Sequence, residues 1–294
     1  MESGNYNNGQ SDQWYNPLGK GIPAQLVLAL TLFIALYFIF YSAEYLYRLF
    51  AIFNKSETKL MDFTASSSGR SYVFTQDPNL PGSKQLAVSD NERTGIEFSY
   101  GFYIFADPAG FRQDEGLLHV FHKGNSNQYP LLCPGVYMSS TTNTMRVYIN
   151  TYKTWDNYCE INDIPMKKWV HVAIVVQNNA ADIYINGNIA KRMPFEDTVP
   201  YQNYGNVCVF SSRNVRVSRP GAAADGKSAD LLRVFGSFTG LLSNLTYFNY
   251  ALSYTEIMGL VHAGPNKKMA DDGNVNIPPY LIDSWWASGA NGTA

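Results

Sequence analysis

The sequence predicts an all-β sandwich or jelly roll preceded by one transmembrane helix. Three observations predict it. The run Gly21–Ala43 holds twenty-three residues without a charge. After residue 94, apolar and polar side chains alternate with period two through many short segments. Turn chemistry separates those segments, most clearly the Asn186-Gly187 pair, which accepts the positive φ angles of a type I′ hairpin turn.

Residues 1–20 (MESGNYNNGQSDQWYNPLGK) are polar and rich in Asn and Gly, the composition of a disordered N-terminus. Residues 21–50 form the expected membrane helix with its interfacial end. At about 1.5 Å per residue, the uncharged run reaches about 34 Å, enough to cross a hydrocarbon core. Ile22, Leu28, Phe33 and Phe40 mark a helix that is apolar on every side, which argues against a buried amphipathic helix. A cleaved signal peptide fits less well, because the apolar run is too long and Tyr41 stands where a small residue is wanted. Tyr45 and Arg48 follow, an aromatic and a snorkelling cation suited to the membrane–water boundary. Arg48, Lys55 and Lys59 outnumber Lys20 around the span, which places the C-terminal part on the cytoplasmic side.

Residues 51–93 read as a Ser/Gly/Pro-rich linker with one short strand at Ser71–Thr75. The β domain occupies residues 94–264. Gly95–Phe105 alternates Ile96, Phe98, Tyr100, Phe102 and Ile104 on one face. Further strands are expected at Leu117–His122, Gly135–Ser139, Thr144–Thr151, Trp169–Val176, Ala181–Ile185, Ile189–Met193, Asn206–Ser211 and Ser237–Phe248. One helix follows: Ser253-Tyr254-Thr255-Glu256 is a capping box, with Ile257, Leu260 and Val261 on one face and Gly264-Pro265 as the stop. Residues 265–294 are a polar tail except for Ile277–Trp286, where Tyr280, Trp285 and Trp286 form either an interaction arm or a strip folded back on the sandwich.

The order of landmarks resembles the concanavalin A-like, laminin-G-like jelly-roll family. The residues that carry it are Lys168-Trp169-Val170-His171-Val172-Ala173, Ile183-Tyr184-Ile185-Asn186-Gly187, Phe238-Thr239-Gly240 and Phe248-Asn249-Tyr250-Ala251-Leu252-Ser253 with Glu256-Ile257. The resemblance implies that Trp169, Val170, Val172 and Ile174 fill the space between two sheets, and that the capped helix closes an open end. These are structural roles, so the likeness identifies a fold and not an activity.

The search for chemistry yields little. Family β-glucanases carry paired glutamates on one strand, whereas Glu160-Ile161-Asn162-Asp163 lacks the second. His119 and His122 are expected on opposite faces of one strand, poor geometry for ligands. His171 alternates with Val170 and Val172 and suits a structural role. Cys133, Cys159 and Cys208 are odd in number, which suits a reducing compartment. No catalytic, cofactor or metal residues are assigned, and the protein is expected not to be an enzyme. Asp107, Asp156, Asn157 and Asp163 offer a rim calcium ion no more than any loop-rich β domain would. A net charge of −2 with pI near 6.1 removes a bulk electrostatic case for nucleic acid. Arg213, Arg216 and Arg219 in RNVRVSR are either a clamp for an acidic protein partner or a charged edge strand.

Membrane-anchored laminin-G-like domains of this size resemble minor capsid components of large icosahedral DNA viruses. That resemblance implies a structural protein of the virion inner membrane, its domain facing the capsid, with lipid bilayer and shell proteins as partners. The alternative is a membrane-tethered lectin-like module whose tyrosine-rich loops bind glycan. Its opposite orientation would make the sequons at Asn54, Asn244 and Asn291 meaningful.

Overall fold

The computed structural model describes residues 22–53, 55–68, 70–89, 96–177, 179–196, 198–218 and 230–270. The expectations for residues 1–20, Asn54, Arg219, Tyr280, Trp285, Trp286 and Asn291 lie outside these residues. The chain divides into two compact units, Met1–Lys55 and Ser56–Ala294.

The first unit contains helix α1, Ile22–Phe53. Gln25–Tyr47 is long and apolar enough to cross a membrane, with a mean hydropathy of 2.3 and none of it buried. Phe33 and Phe40 are about 70% exposed, an arrangement that water penalises and lipid does not. The hydroxyls of Thr31 and Ser42 donate to Leu28 O and Ile39 O, so both are satisfied within the helix. Ile22 and Arg48 lie within α1.

The second unit is a sandwich of two sheets. Its strands are β1 (Glu57–Lys59), β2 (Thr64–Ser66), β3 (Tyr72–Phe74), β4 (Phe98–Ala106), β5 (Leu117–Gly124), β6 (Leu132–Ser139), β7 (Met145–Tyr148) and β8 (Tyr158–Ile161). After these come β9 (Trp169–Gln177), β10 (Ala180–Ile185), β11 (Asn188–Pro194), β12 (Asn206–Val209), β13 (Asn214–Ser218), β14 (Asp230–Ser237) and β15 (Gly240–Phe248), followed by helix α2 (Tyr254–Ala263). One sheet runs β1-β15-β4-β9-β10-β11, with β2 also on β15. The other runs β13-β14-β5-β6-β7-β8, with β12 between β3 and β5. Pairing is antiparallel except for β14 on β5. Strand β5 shares one edge between two partners, β14 along its first half and β12 along its second.

The inner faces follow the alternation in the sequence. Phe98, Tyr100, Phe102 and Ile104 of β4 and Val170, Val172, Ile174 and Val176 of β9 meet Val120, Phe121, Val136 and Val147 of the facing sheet. Phe102 and Phe121 pack edge to face with ring centroids 5.1 Å apart. Each such buried side chain contributes about 1.5–3 kcal/mol.

Four expectations are corrected. Trp169 does not fill the core: parity places it with His171 on the outer face, where its ring meets Phe105 at 5.7 Å. The segment expected as a linker carries the short strand expected at Ser71–Thr75, here β3, but also β1 and β2, and it buries Leu60, Met61 and Ala65 in the sandwich. Strands β1 and β2 are three residues long, too short for alternation to register in sequence. The run expected as one strand at Ser237–Phe248 turns at Phe238-Thr239 between β14 and β15. Helix α2 covers the outer face of the first sheet, not an end. Its Ile257 joins Ala173, Val175, Phe248 and Leu252 in a separate apolar cluster.

The capping box at Ser253 and Glu256 is fully formed. Asn186 and Gly187 both have positive φ, 49° and 84°, as the hairpin between β10 and β11 requires. A Cβ on Gly187 would lie 2.5 Å from Met258 Sδ, so the turn also packs under α2.

Candidate functional site

The polar residues gather on the second sheet's outer face and at the neighbouring loop end. Asn150 builds that end. Its side chain is 3% exposed; Nδ2 donates to Pro130 O, and Oδ1 accepts from Leu132 N–H. Its backbone N–H donates to Leu132 O, and its carbonyl accepts from Tyr201 N–H. One buried amide therefore joins three loops: 125–132, 150–157 and 198–205.

These loops carry most of the tyrosines that the sequence groups together. Tyr129 packs edge to face on Trp155 at 4.8 Å, and Tyr152 on Tyr201 at 5.1 Å. Tyr152 and Tyr204 remain 67% and 78% exposed. Tyr137 is instead fully buried beneath them, its hydroxyl without a partner among the described residues. Tyr158 carries the Arg146 guanidinium 4.5 Å above its ring, and Arg146 Nε donates to Glu160 at 2.9 Å. Glu160 is thus held in an ion pair.

Loop 198–205 also walls a cavity of about 410 Å³, lined by Gln76, Leu86, Val88, Lys123, Gln202, Asn203 and Tyr204 among others. Lys123 is 2% exposed. Its ammonium donates to Asn203 O and, at 3.4 Å, to Asn203 Oδ1. Burial lowers its pKa to about 8. The opposite wall comes from residues 76–89. Gln76 Nε2 donates to Lys84 O at 2.8 Å while Oε1 accepts from Leu86 N–H, and Gln202 Oε1 accepts from Ser89 N–H.

Beside this cavity, His119 and His122 correct the expectation of opposite faces. Register shifts follow His119 and His122 on β5, so Val120 and Phe121 both turn to the core. This bulge resets the parity and brings both imidazoles onto the outer face. Ser211 N–H donates to His119 Nδ1 at 3.0 Å, so the neutral ring carries its proton on Nε2. That nitrogen donates to His122 Nδ1 at 2.7 Å, and His122 Nε2 donates to Asn125 O at 2.9 Å. Burial pushes His119 well below the usual imidazole range, with His122 adding to the effect, and takes His122 down to about 4. A run of hydrogen bonds with every ring neutral suits a structural clamp between the 125–128 loop and Ser211.

Arg213 and Arg216 are exposed; Arg213 donates to Asn127 Oδ1, and Arg216 lies on edge strand β13 opposite Arg233. Val215 and Val217 of the same strand pack against a cluster that includes Leu117, Leu232 and Val234, separate from the main core. Through its bond to Asn127, Arg213 is tied to the tyrosine-bearing loops. Lys123 was not singled out in the sequence, because its neighbours Asn203 and Gln76 are far away along the chain. The three cysteines are buried free thiols, and burial pushes Cys133 up to about 12 and Cys159 to about 11. Among the described residues no group of three or more His, Cys, Asp or Glu side chains could hold a metal ion. Asp107 instead caps the 3-10 turn Pro108–Gly110.

The laminin-G-like sequence model described as the Concanavalin A-like lectin/glucanases superfamily matches residues 68–258. No curated protein matches the chain. Among solved structures it is similar to the botulinum neurotoxin serotype D binding domain, at 11% identity and TM-score 0.45 over 71% of this chain and 46% of that one. The binding domain of Paraclostridial Mosquitocidal Protein 1 gives 12% identity and TM-score 0.41 over 71% and 47%. A Trypanosoma rangeli sialidase gives 13% identity and TM-score 0.35 over 56% and 23%. The chain therefore spans less than half the length of these proteins.

Proposed function

The chain belongs to the Concanavalin A-like lectin/glucanases superfamily, and from that premise we propose that it is a non-catalytic binding module held at a membrane by α1. In the fuller form of this reading it is a minor capsid component. Its span roots in a viral inner membrane, and its sandwich docks on the shell from the cytoplasmic side. The supporting observation is that Gln25–Tyr47 forms one continuous helix long and apolar enough to cross a bilayer. A helix of this length and composition is suited to anchor the chain in lipid.

Alkaline extraction of membranes containing the full chain tests the anchor. The protein is expected to stay in the pellet at its full mass; release, or a shortened chain beginning after residue 43, rejects it. A cryo-electron microscopy map of the native particle tests the shell contact, and a sandwich touching no shell protein rejects that part.

Exposed Tyr152 and Tyr204 favour a second reading, a tethered carbohydrate-binding module, since aromatic rings stack on sugars. Asn244 discriminates between the two. Its Nδ2 donates one of its two protons to Gly264 O at 3.0 Å, and an attached glycan would replace one of the two. Occupancy of this sequon in the native protein rejects the cytoplasmic orientation.

A further inference from the structure

The Lys123 ammonium is almost entirely withdrawn from water. A buried charge is retained where an opposite charge or a full set of hydrogen bonds compensates it. Lys123 takes part in none of the ion pairs among the described residues. Its acceptors are both on Asn203 and both neutral. An ammonium has three protons, and the more distant of these two contacts is a weak one. The side chain lines a cavity of about 410 Å³, within the range of small-molecule sites.

The cavity is built rather than incidental. Gln76 and Gln202 each clamp the 84–89 strap through backbone groups, and Asn203 accepts from Gly205 N–H and donates to Lys123 O. Amides on both walls hold the shape, and Leu86 and Val88 supply an apolar side. Asp77 lines the same cavity, its Oδ1 accepting from Asn79 N–H and Nδ2. A carboxylate on the wall disfavours a doubly charged ligand such as phosphate and leaves room for one negative charge at the lysine.

We propose that this cavity is a binding site for a compact monoanionic carboxylate, whose head pairs with Lys123 and whose polar body rests among the amides. The site is independent of the membrane reading, so either can fail alone. Binding follows the charge of the lysine: burial has lowered its pKa to about 8, so affinity is full below that pH and falls as the pH rises through it.

The test is calorimetric titration of the full chain in detergent with N-acetylglycine, with its neutral counterpart N-acetylglycinamide, and with inorganic phosphate. N-acetylglycine is expected to bind at least about tenfold more tightly than the other two, the scale of one charge-assisted hydrogen bond. Lys123→Met is expected to remove that preference. Should Lys123→Met fail to fold, the wild-type protein labelled in its lysines serves instead, and the Lys123 ammonium resonance is expected to shift with N-acetylglycine alone. Equal binding of the amide or of phosphate, a preference that survives in a folded Lys123→Met, or an unmoved Lys123 resonance overturns the proposal.

Discussion

Both sheets bury a histidine on their outer face, but the two faces are covered differently. On the first, α2 lays Ile257 and Leu260 over Ala173, Val175 and Phe248, and His171 lies beneath with its Nδ1 unpartnered among the described residues. The adjoining Tyr103 hydroxyl shares its one proton between Leu260 O and Val261 O and accepts from Gly264 N–H, tying off the helix end. On the second, loops form much of the cover and the histidines form a chain of hydrogen bonds ending on Ser211 and Asn125. A helix satisfies its own backbone and can offer an apolar face. Loops bring free N–H and C=O groups that must find partners beneath them. The loop-covered side therefore collects buried polar residues, and the Lys123 cavity lies along the same strand.

Acid should break both faces and reveal which yields first. Burial holds His122 and His171 at about 4, below the unfolded value of about 6.5. Their contribution to stability is complete above pH 6.5 and is lost as the pH falls towards 4. Each accounts for about 3 kcal/mol on that descent. Thermal unfolding of the detergent-solubilised chain between pH 7 and 4 should show the loss. In His122→Asn the slope should be shallower while His171 still titrates, and an unchanged slope would refute the assignment.

Truncating the helix cover comes next. Ile257→Ala should cost about 2–4 kcal/mol at pH 7, because the site is fully buried and apolar. On the loop-covered face, His119→Leu strands Ser211 N–H and His122 Nδ1, and should cost about 1–3 kcal/mol in denaturant unfolding. A smaller loss for Ile257→Ala than for His119→Leu would reverse the contrast. Ser253→Ala removes the capping box and should cost about 1 kcal/mol. Tyr204→Ala, at an exposed loop position, should change stability by less than about 0.5 kcal/mol, and a larger loss would show that the ring is part of the fold.

What was readable in sequence is what repeats locally. The alternation in Phe98–Ile104 placed four residues in the core correctly, and Asn186-Gly187 placed the hairpin. Alternation places His171 correctly opposite Val170 and Val172, but the family landmark puts Trp169 in the core although it shares the parity of His171. His119 and His122 were misassigned because a bulge changes parity, and no residue type in Leu117–Gly124 announces one.

The sequence by itself determined the apolar span, the sandwich class, the hairpin and the capped helix, since each rests on spacing within a few residues. Only the tertiary structure decided that α2 covers a sheet face and that Asn150 joins three loops. It also decided that residues 76–89 wall a cavity around Lys123. Those features join segments far apart in the chain, and the pairing of long-range hydrogen-bond partners leaves no periodic trace in the order of residues.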